Sequence, residues 1–238
     1  MSNAPYSRPG WQERWHAHGQ RAMLFDLDGT LLDSAPDLAH AANVIRARRG
    51  LEALPVEALR PWVSQGARGM VTQGLSISTE HPDYEPARQE FLEVYAECLS
   101  RHTTWWPGMD QVVDALEIHG IAWGIVTNKA ARFTEPLLKN IALWDRCAVV
   151  VSGDTTPHAK PHPAPMAHAI AALGVAPDAV VYVGDDARDI ESGFHAGTWT
   201  IACDFGHHVR EPFPRHWGAD TVITTPHDLI ALFSGPQR

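Results

Sequence analysis

Cysteine is scarce in this chain: there are three in 238 residues, Cys98, Cys147 and Cys203, odd in number and far apart. That spacing offers no paired zinc or redox motif and fits a reducing compartment, read here as the cytoplasm. Long apolar runs are missing too. No stretch approaches the roughly eighteen residues of a membrane helix, and the start of the chain lacks the apolar centre of an export signal. Positive charge is in deficit, with 19 Lys and Arg against 28 Asp and Glu and a formal net charge of −9. Such a chain repels polyanions, so nucleic acid and anionic membrane are not expected partners. Internal repeats and low-complexity segments are also absent.

What remains is ordinary for a soluble globular protein, with 45% hydrophobic and 20% charged residues. The length suits one α/β domain or a domain with a small insert. An acidic protein of this kind can still bind a small phosphate, provided a metal ion or a few placed Lys and Arg reverse the field locally.

Residues 1–21 are polar, Pro- and Gly-containing and aperiodic, and are read as an N-terminal tail. Trp11 and Trp15 stand four apart, so docking of one helical turn and a mobile tail are both open. From residue 22 onward short apolar runs alternate with stretches of helical period, the pattern of βα units and a mostly parallel sheet. The strand candidates are residues 22–25, 121–126, 148–152, 179–183, 198–202 and 220–224. About ninety residues separate the first two, far more than one crossover helix needs. Residues 36–105 are therefore expected to form an inserted helical subdomain, with residues 22–35 and 106–238 forming the core. Leu38, Ala41, Ala42 and Ile45 recur at helical spacing, as do Phe91, Leu92, Tyr95, Cys98 and Leu99. Pro36 opens the insert at a helix start, and Trp106-Pro107-Gly108 closes it.

The most informative residues follow the first strand: Asp26-Leu27-Asp28-Gly29-Thr30. Two carboxylates leaving a buried strand at its carboxyl end stand where open α/β sheets place their active sites. Alone, the segment also reads as an ordinary turn or a fragment of a calcium loop. Three further features each follow a strand or open a helix. The second strand ends in Thr127-Asn128, able to donate to phosphate oxygens. Lys160 precedes a helix carrying Ile170 and Leu173. The fourth strand ends in Gly184-Asp185-Asp186, followed by Asp189.

The ordered set FDLDGTLLDSAPDL, VTNK, AKPHP and VGDDARDIESG resembles the haloacid dehalogenase superfamily of phosphohydrolases, in particular its phosphoglycolate phosphatase-like branch. The resemblance runs from about residue 22 to the C-terminus. It implies a doubly wound, Rossmann-like parallel sheet core with an inserted α-helical cap closing over it. It also implies Asp26 as nucleophile, giving an aspartyl-phosphate, and Asp28 as general acid and then base. Thr127 and Lys160 would stabilise the phosphoryl oxygens, Asn128 would bind substrate, and Asp189 would orient Lys160. Removal of Lys160, taken as a surface lysine, is expected to cost rate more than structure. The metal would be held by the Asp26 carboxylate, the Asp28 backbone carbonyl and Asp185. Four aspartates converging at strand ends cannot all ionise without a cation, and magnesium suits a site that keeps waters and binds phosphate. Calcium or a purely structural role is the alternative.

Asp186 departs from the family pattern, which often has Ser or Thr there, and is read as solvent-facing. Asp33 and Ser34 fit the family and an ordinary N-cap neighbourhood equally. In Trp62–Gly69, Arg68 is a candidate for a substrate carboxylate, with a solvated arginine as the alternative. His16 with His18 and His207 with His208 lack further ligands and are read as exposed or loop histidines. Segments 64–70, 186–193 and 214–220 are similar to phosphatases acting on N-acetylmuramic acid 6-phosphate. The expected partner is a small phosphate monoester: phosphoglycolate first, the muramic acid phosphate as the alternative. A phosphomutase, a metal-free dehalogenase and a non-catalytic binding module are the rival classes, and Asp28 argues against the dehalogenase.

Overall fold

The computed structural model describes residues 8–207 and 213–234. Helix α1 (Trp11–Ala17) precedes β1 (Ala22–Phe25) and the two-residue β2 (Leu32–Asp33). The insert then supplies α2 (Ala35–Arg48), the single turns α3 (Val56–Leu59) and α4 (Gly66–Gly69), and α5 (Tyr84–Cys98). The chain returns through β3 (Thr104–Trp105) and α6 (Met109–Ile118), followed by β4 (Ala122–Val126), α7 (Ala131–Asn140), β5 (Val149–Val151) and α8 (Ala164–Leu173). It ends with β6 (Val180–Gly184), α9 (Ala187–His195), β7 (Trp199–Cys203), β8 (Thr221–Ile223) and α10 (His227–Ser234).

All six strand candidates form, and they pair in parallel in the order β5-β4-β1-β6-β7-β8. The architecture is therefore a parallel α/β sheet with helices on both faces, as the alternating pattern implied. β1 lies at its middle, with Phe25 in register with Ile125 on one side and Val183 on the other. Alternation along β1 divides the core. Met23 and Phe25 join the apolar cluster that includes α1, α6, α7 and α10, whereas Ala22 and Leu24 join the one under α8. The sheet is buried on both faces, which is why its strands read as continuous apolar runs.

The insert has its own apolar cluster, built on Leu38, Ala41, Ala42 and Ile45 of α2 and on Phe91, Tyr95 and Cys98 of α5. Leu92 and Leu99 are only partly buried at its margin. The sequence did not signal β2 and β3, which pair antiparallel, Leu32 with Trp105 and Asp33 with Thr104, and join the two necks of the insert. Two-residue strands carry no period to read. Beside them, the buried Asp37 carboxylate accepts hydrogen bonds from the amides of His102 and Thr103, at 2.8 and 3.0 Å, and from the Thr103 hydroxyl at 2.6 Å. No helix of the described residues is long and apolar enough to cross a membrane.

The segment read as a tail is structured from Arg8 onward. Trp15 is fully buried and donates from Nε1 to the Ala179 carbonyl at 3.0 Å, and Trp11 Nε1 donates to Thr221 Oγ1 at 2.9 Å. Arg8 pairs with Asp220 at 2.6 Å and lies 4.4 Å from the Trp199 ring centroid. Of the two options the sequence left open, docking is the one seen, because two indoles four residues apart share one helix face. Trp15→Ala should therefore lower stability by about 3–5 kcal/mol, read as a reduced urea midpoint; an unchanged midpoint would show that α1 contributes nothing to the core.

Candidate active site

The site is assembled at the carboxyl ends of the three central strands. Asp26 follows β1, and its amide still donates to the Val183 carbonyl at 2.9 Å. Thr127 follows β4, tied in the same way to Val151 at 2.9 Å, and Asp185 follows β6. Gly29 turns the first loop at φ +93, and a Cβ there would stand 2.3 Å from an Asp185 oxygen, so only glycine lets the loop approach that carboxylate.

Lys160 is the cation of this floor. Its Nζ lies 2.8 Å from Asp26, 2.7 Å from Asp189, 2.8 Å from the Val126 carbonyl and 2.7 Å from the Tyr182 hydroxyl. Burial alone would depress this ammonium, but Asp189 and Asp26 outweigh it and hold the group charged. Only 5% of Lys160 is exposed, which corrects its reading as a surface lysine. Asn128 is tied to the Lys160 loop. Its Oδ1 accepts from the Lys160 amide and its Nδ2 donates to the Lys160 carbonyl, both at 2.9 Å, so its amide positions that loop at the edge of the cavity.

Asp28 is held apart from this group. Its Oδ1 accepts from the Ser34 hydroxyl at 2.5 Å and from Lys129 Nζ at 2.9 Å, and Lys129 also reaches Oδ2 at 3.1 Å. Burial would raise this carboxyl, yet Lys129 and Ser34 bring it below the usual range. Ser34 thus spends its hydroxyl on Asp28 and not on capping α2, while Asp33 pairs with Arg60 at 2.7 Å.

Asp26, Asp185 and Asp189 each present a carboxylate oxygen within 4.8 Å of the others. Lys160 pairs with both Asp26 and Asp189, but Asp185, buried to 1% exposure, accepts only from Thr30 Oγ1 at 3.1 Å and the His207 amide at 2.9 Å among the described contacts. Burial and the two neighbouring carboxylates push its carboxyl well above the usual range. Three carboxylates against the single Lys160 ammonium leave two acids more than the cations present, the charge a divalent metal would neutralise, so the donor set fits a hard, oxygen-ligated ion. The Asp28 carboxylate is outside the set, leaving its backbone carbonyl as the expected contribution.

Asp186 is not simply solvent-facing. It N-caps α9, accepting the Arg188 amide at 2.9 Å in a reciprocal capping box with Asp189, and it pairs with the Arg188 guanidinium at 2.8 Å. Arg188 then donates to the Ser64 carbonyl at 2.7 Å, linking core to insert. His207 is likewise buried, not exposed, and packs edge-on to Trp106 at 5.6 Å. His208 and residues 209–212 lie outside the described residues. His16 bonds the Leu232 carbonyl at 2.8 Å and His18 meets Asp178 at 3.4 Å, and neither joins a metal-type cluster among the described residues.

A cavity of about 320 Å³ opens above Asp26 between core and insert. Asp28, Thr127, Asn128 and Lys160 line it from the core, and Arg68 is at its exposed margin on the insert. Sequence reasoning missed Lys129, Tyr182 and Arg188. Lys129 was visible only as the last residue of VTNK, and Tyr182 only as a polar tip inside a buried strand.

A site of acids and one buried lysine at the ends of parallel strands, under a helical insert, defines a hydrolase of phosphoryl-transfer type. The family model of the haloacid dehalogenase-like hydrolases matches residues 23–203, and the chain belongs to that family. By class it is a phosphoric monoester hydrolase. It is 42% identical over 210 residues to the N-acetylmuramic acid 6-phosphate phosphatase of Pseudomonas aeruginosa, covering 88% of this chain and 93% of that one. It is 39% identical over 220 residues to a phosphoglycolate phosphatase of Xanthomonas campestris pv. campestris, covering 91% and 98%. The fold is similar to the crystal structure of a predicted phosphoglycolate phosphatase from Haemophilus somnus 129PT, with a TM-score of 0.78, 24% identity and coverage of 90% and 97%.

Because Lys160 is buried between two carboxylates, its loss should damage structure as well as rate. Lys160→Ala is expected to cost about 3–5 kcal/mol of stability in chelator, measured by urea unfolding, together with most of the activity; full stability would show that the two acids do not depend on it.

Proposed function

We propose that the chain is a magnesium-dependent phosphatase that works through an aspartyl-phosphate on Asp26, with N-acetylmuramic acid 6-phosphate as substrate. The observation that carries the reaction is Asp26 itself, a carboxylate at a strand end, held by Lys160 at 2.8 Å on the floor of a cavity that Thr127 also lines. An Asp26 oxygen attacks phosphorus as the bond to the alcohol oxygen breaks, and the leaving oxygen takes a proton from Asp28. Water then attacks the same phosphorus and gives its proton to Asp28, which releases phosphate and restores Asp26. The first step needs Asp28 with its proton and the second needs it without, and the contacts from Lys129 and Ser34 favour the second form. Lys160 and the Thr127 hydroxyl stay fixed on the phosphoryl oxygens through both steps. Magnesium held by Asp26, Asp185 and the Asp28 carbonyl would supply charge neutralisation between the acids and the phosphate.

The insert, residues 36–105, serves as the cap that excludes water, and the enzyme works in the cytoplasm. Cavities from roughly 300 Å³ upward suit ligands of sugar size rather than a two-carbon acid. The mixed lining, with Phe91, Phe133 and Val63 beside Arg68, Arg88 and Arg132, suits a pyranose bearing a carboxylate. Phosphoglycolate is the second reading, supported by the 39% identical relative of that name.

Phosphate release should be measured from both esters side by side, with magnesium and with a chelator. Release is expected only with magnesium, with the muramic acid ester preferred. Asp26→Asn should fall below about a thousandth of wild type, and Asp185→Ala should raise the magnesium needed for half activity about tenfold or more. Activity near wild type in Asp26→Asn would remove the nucleophile, and phosphate returned to a second position of the sugar would make the enzyme a mutase.

A further inference from the structure

Tyr95 of α5 is 2% exposed, lines the cavity, and has a hydroxyl without a hydrogen-bond partner. Leaving a buried hydroxyl unmatched is costly, and such groups persist where something other than the fold uses them. Its ring is fixed by Phe91, stacked at 6.1 Å, and by Phe133 of the core, at 5.4 Å. The hydroxyl is thus presented at a set point and not on a mobile arm. Burial pushes the phenol up to about 12 against the pull of Lys129, so it retains its proton and acts as a donor. Lys129 Nζ stands 5.0 Å from the Tyr95 ring centroid and also binds Asp28, which places Tyr95 on the Asp28 side of the cavity.

We infer that Tyr95 is a specificity-determining residue whose hydroxyl donates a hydrogen bond to an oxygen on the alcohol half of the phosphate ester. The assignment rests on the phosphatase reading, in which Asp28 serves the leaving oxygen while Lys160 and Thr127 hold the phosphoryl group. Any oxygen acceptor near the ester bond meets the requirement, whether hydroxyl, ether or carboxylate. A substrate half without an acceptor leaves the phenol unmatched, and a site built around a donor discriminates most strongly against such analogues.

The test compares Tyr95→Phe with wild type on N-acetylmuramic acid 6-phosphate, 2-phosphoglycolate and phenyl phosphate, whose alcohol half offers no acceptor beyond the ester oxygen. The expected result is a loss of about 10- to 100-fold in kcat/KM on the better of the first two esters, and a change of less than about twofold on phenyl phosphate. The thermal midpoint should change little, since the hydroxyl's one polar neighbour is Lys129, which Asp28 also holds. Equal losses on all three esters would overturn the inference in favour of a structural role. So would an undiminished rate on the acceptor-bearing esters, or a wild-type enzyme that prefers phenyl phosphate. No release from any of the three would instead overturn the phosphatase reading, and the Tyr95 assignment with it.

Discussion

The Lys160 ammonium between Asp26 and Asp189 is the contact on which the other parts of the site depend. A buried cation is tolerated only when its charge is matched and its donors are used, and here the matching groups come from separate parts of the chain. Asp26 follows β1, the Val126 carbonyl ends β4, Tyr182 lies in β6, and Asp189 sits in the first turn of α9. The reciprocal amide contact from Asn128 fixes the main chain at Lys160, and the capping box of Asp186 fixes the turn bearing Asp189. Register of the sheet, start of α9 and position of the lysine therefore define one another. An error in any of them would strand a charge in a dry interior.

Charge bookkeeping explains how an acidic chain receives an anion. The formal charge of the whole is −9, yet Arg68, Arg88, Lys129, Arg132, Lys160 and Arg188 line the cavity against Asp26, Asp28, Asp186 and Asp189. The local field is reversed by placement, with the excess acid carried elsewhere on the surface. Below the cavity the balance tips back at Asp185, the acid without a cation, and it is there that a divalent ion fits.

How much of this was legible follows from the range of each signal. The six core strands and the insert could be read because apolar runs and helical spacing are local properties. Asp26, Asp28, Thr127, Lys160, Asp185 and Asp189 could be picked out because strand-end chemistry leaves short motifs. What the sequence hid are pairings across the chain. Arg188 meets Ser64 across 124 positions and Lys129 meets Asp28 across 101, and neither sequence neighbourhood hints at the other. For the same reason nothing near Asn128 in sequence shows that its amide is engaged by Lys160, 32 positions away. Asp186 read as solvated for a nearer reason, since Arg188 and Asp189, two and three positions on, meet it only through the turn that starts α9. The docking of α1 was undecided because two tryptophans show a face but not a partner.

These long-range contacts also decide how the insert relates to the core. Its necks are joined by the β2 and β3 pair and clasped by Asp37, while Arg188 reaches Ser64 and Phe133 reaches Tyr95. The first two contacts lie at the base, where chain leaves and re-enters; the last two lie at the cavity, where substrate must pass. Lys129 lies against the Tyr95 ring, and Arg60 reaches His207 and the Trp106 ring, so the insert is tied to the core at several points and not one. Asp28 takes its own partners, Ser34 and Lys129, from the core, and Lys129 in turn carries that contact to the insert through Tyr95. The paired base and the cavity-side ties therefore hold the insert over Asp26 from both ends.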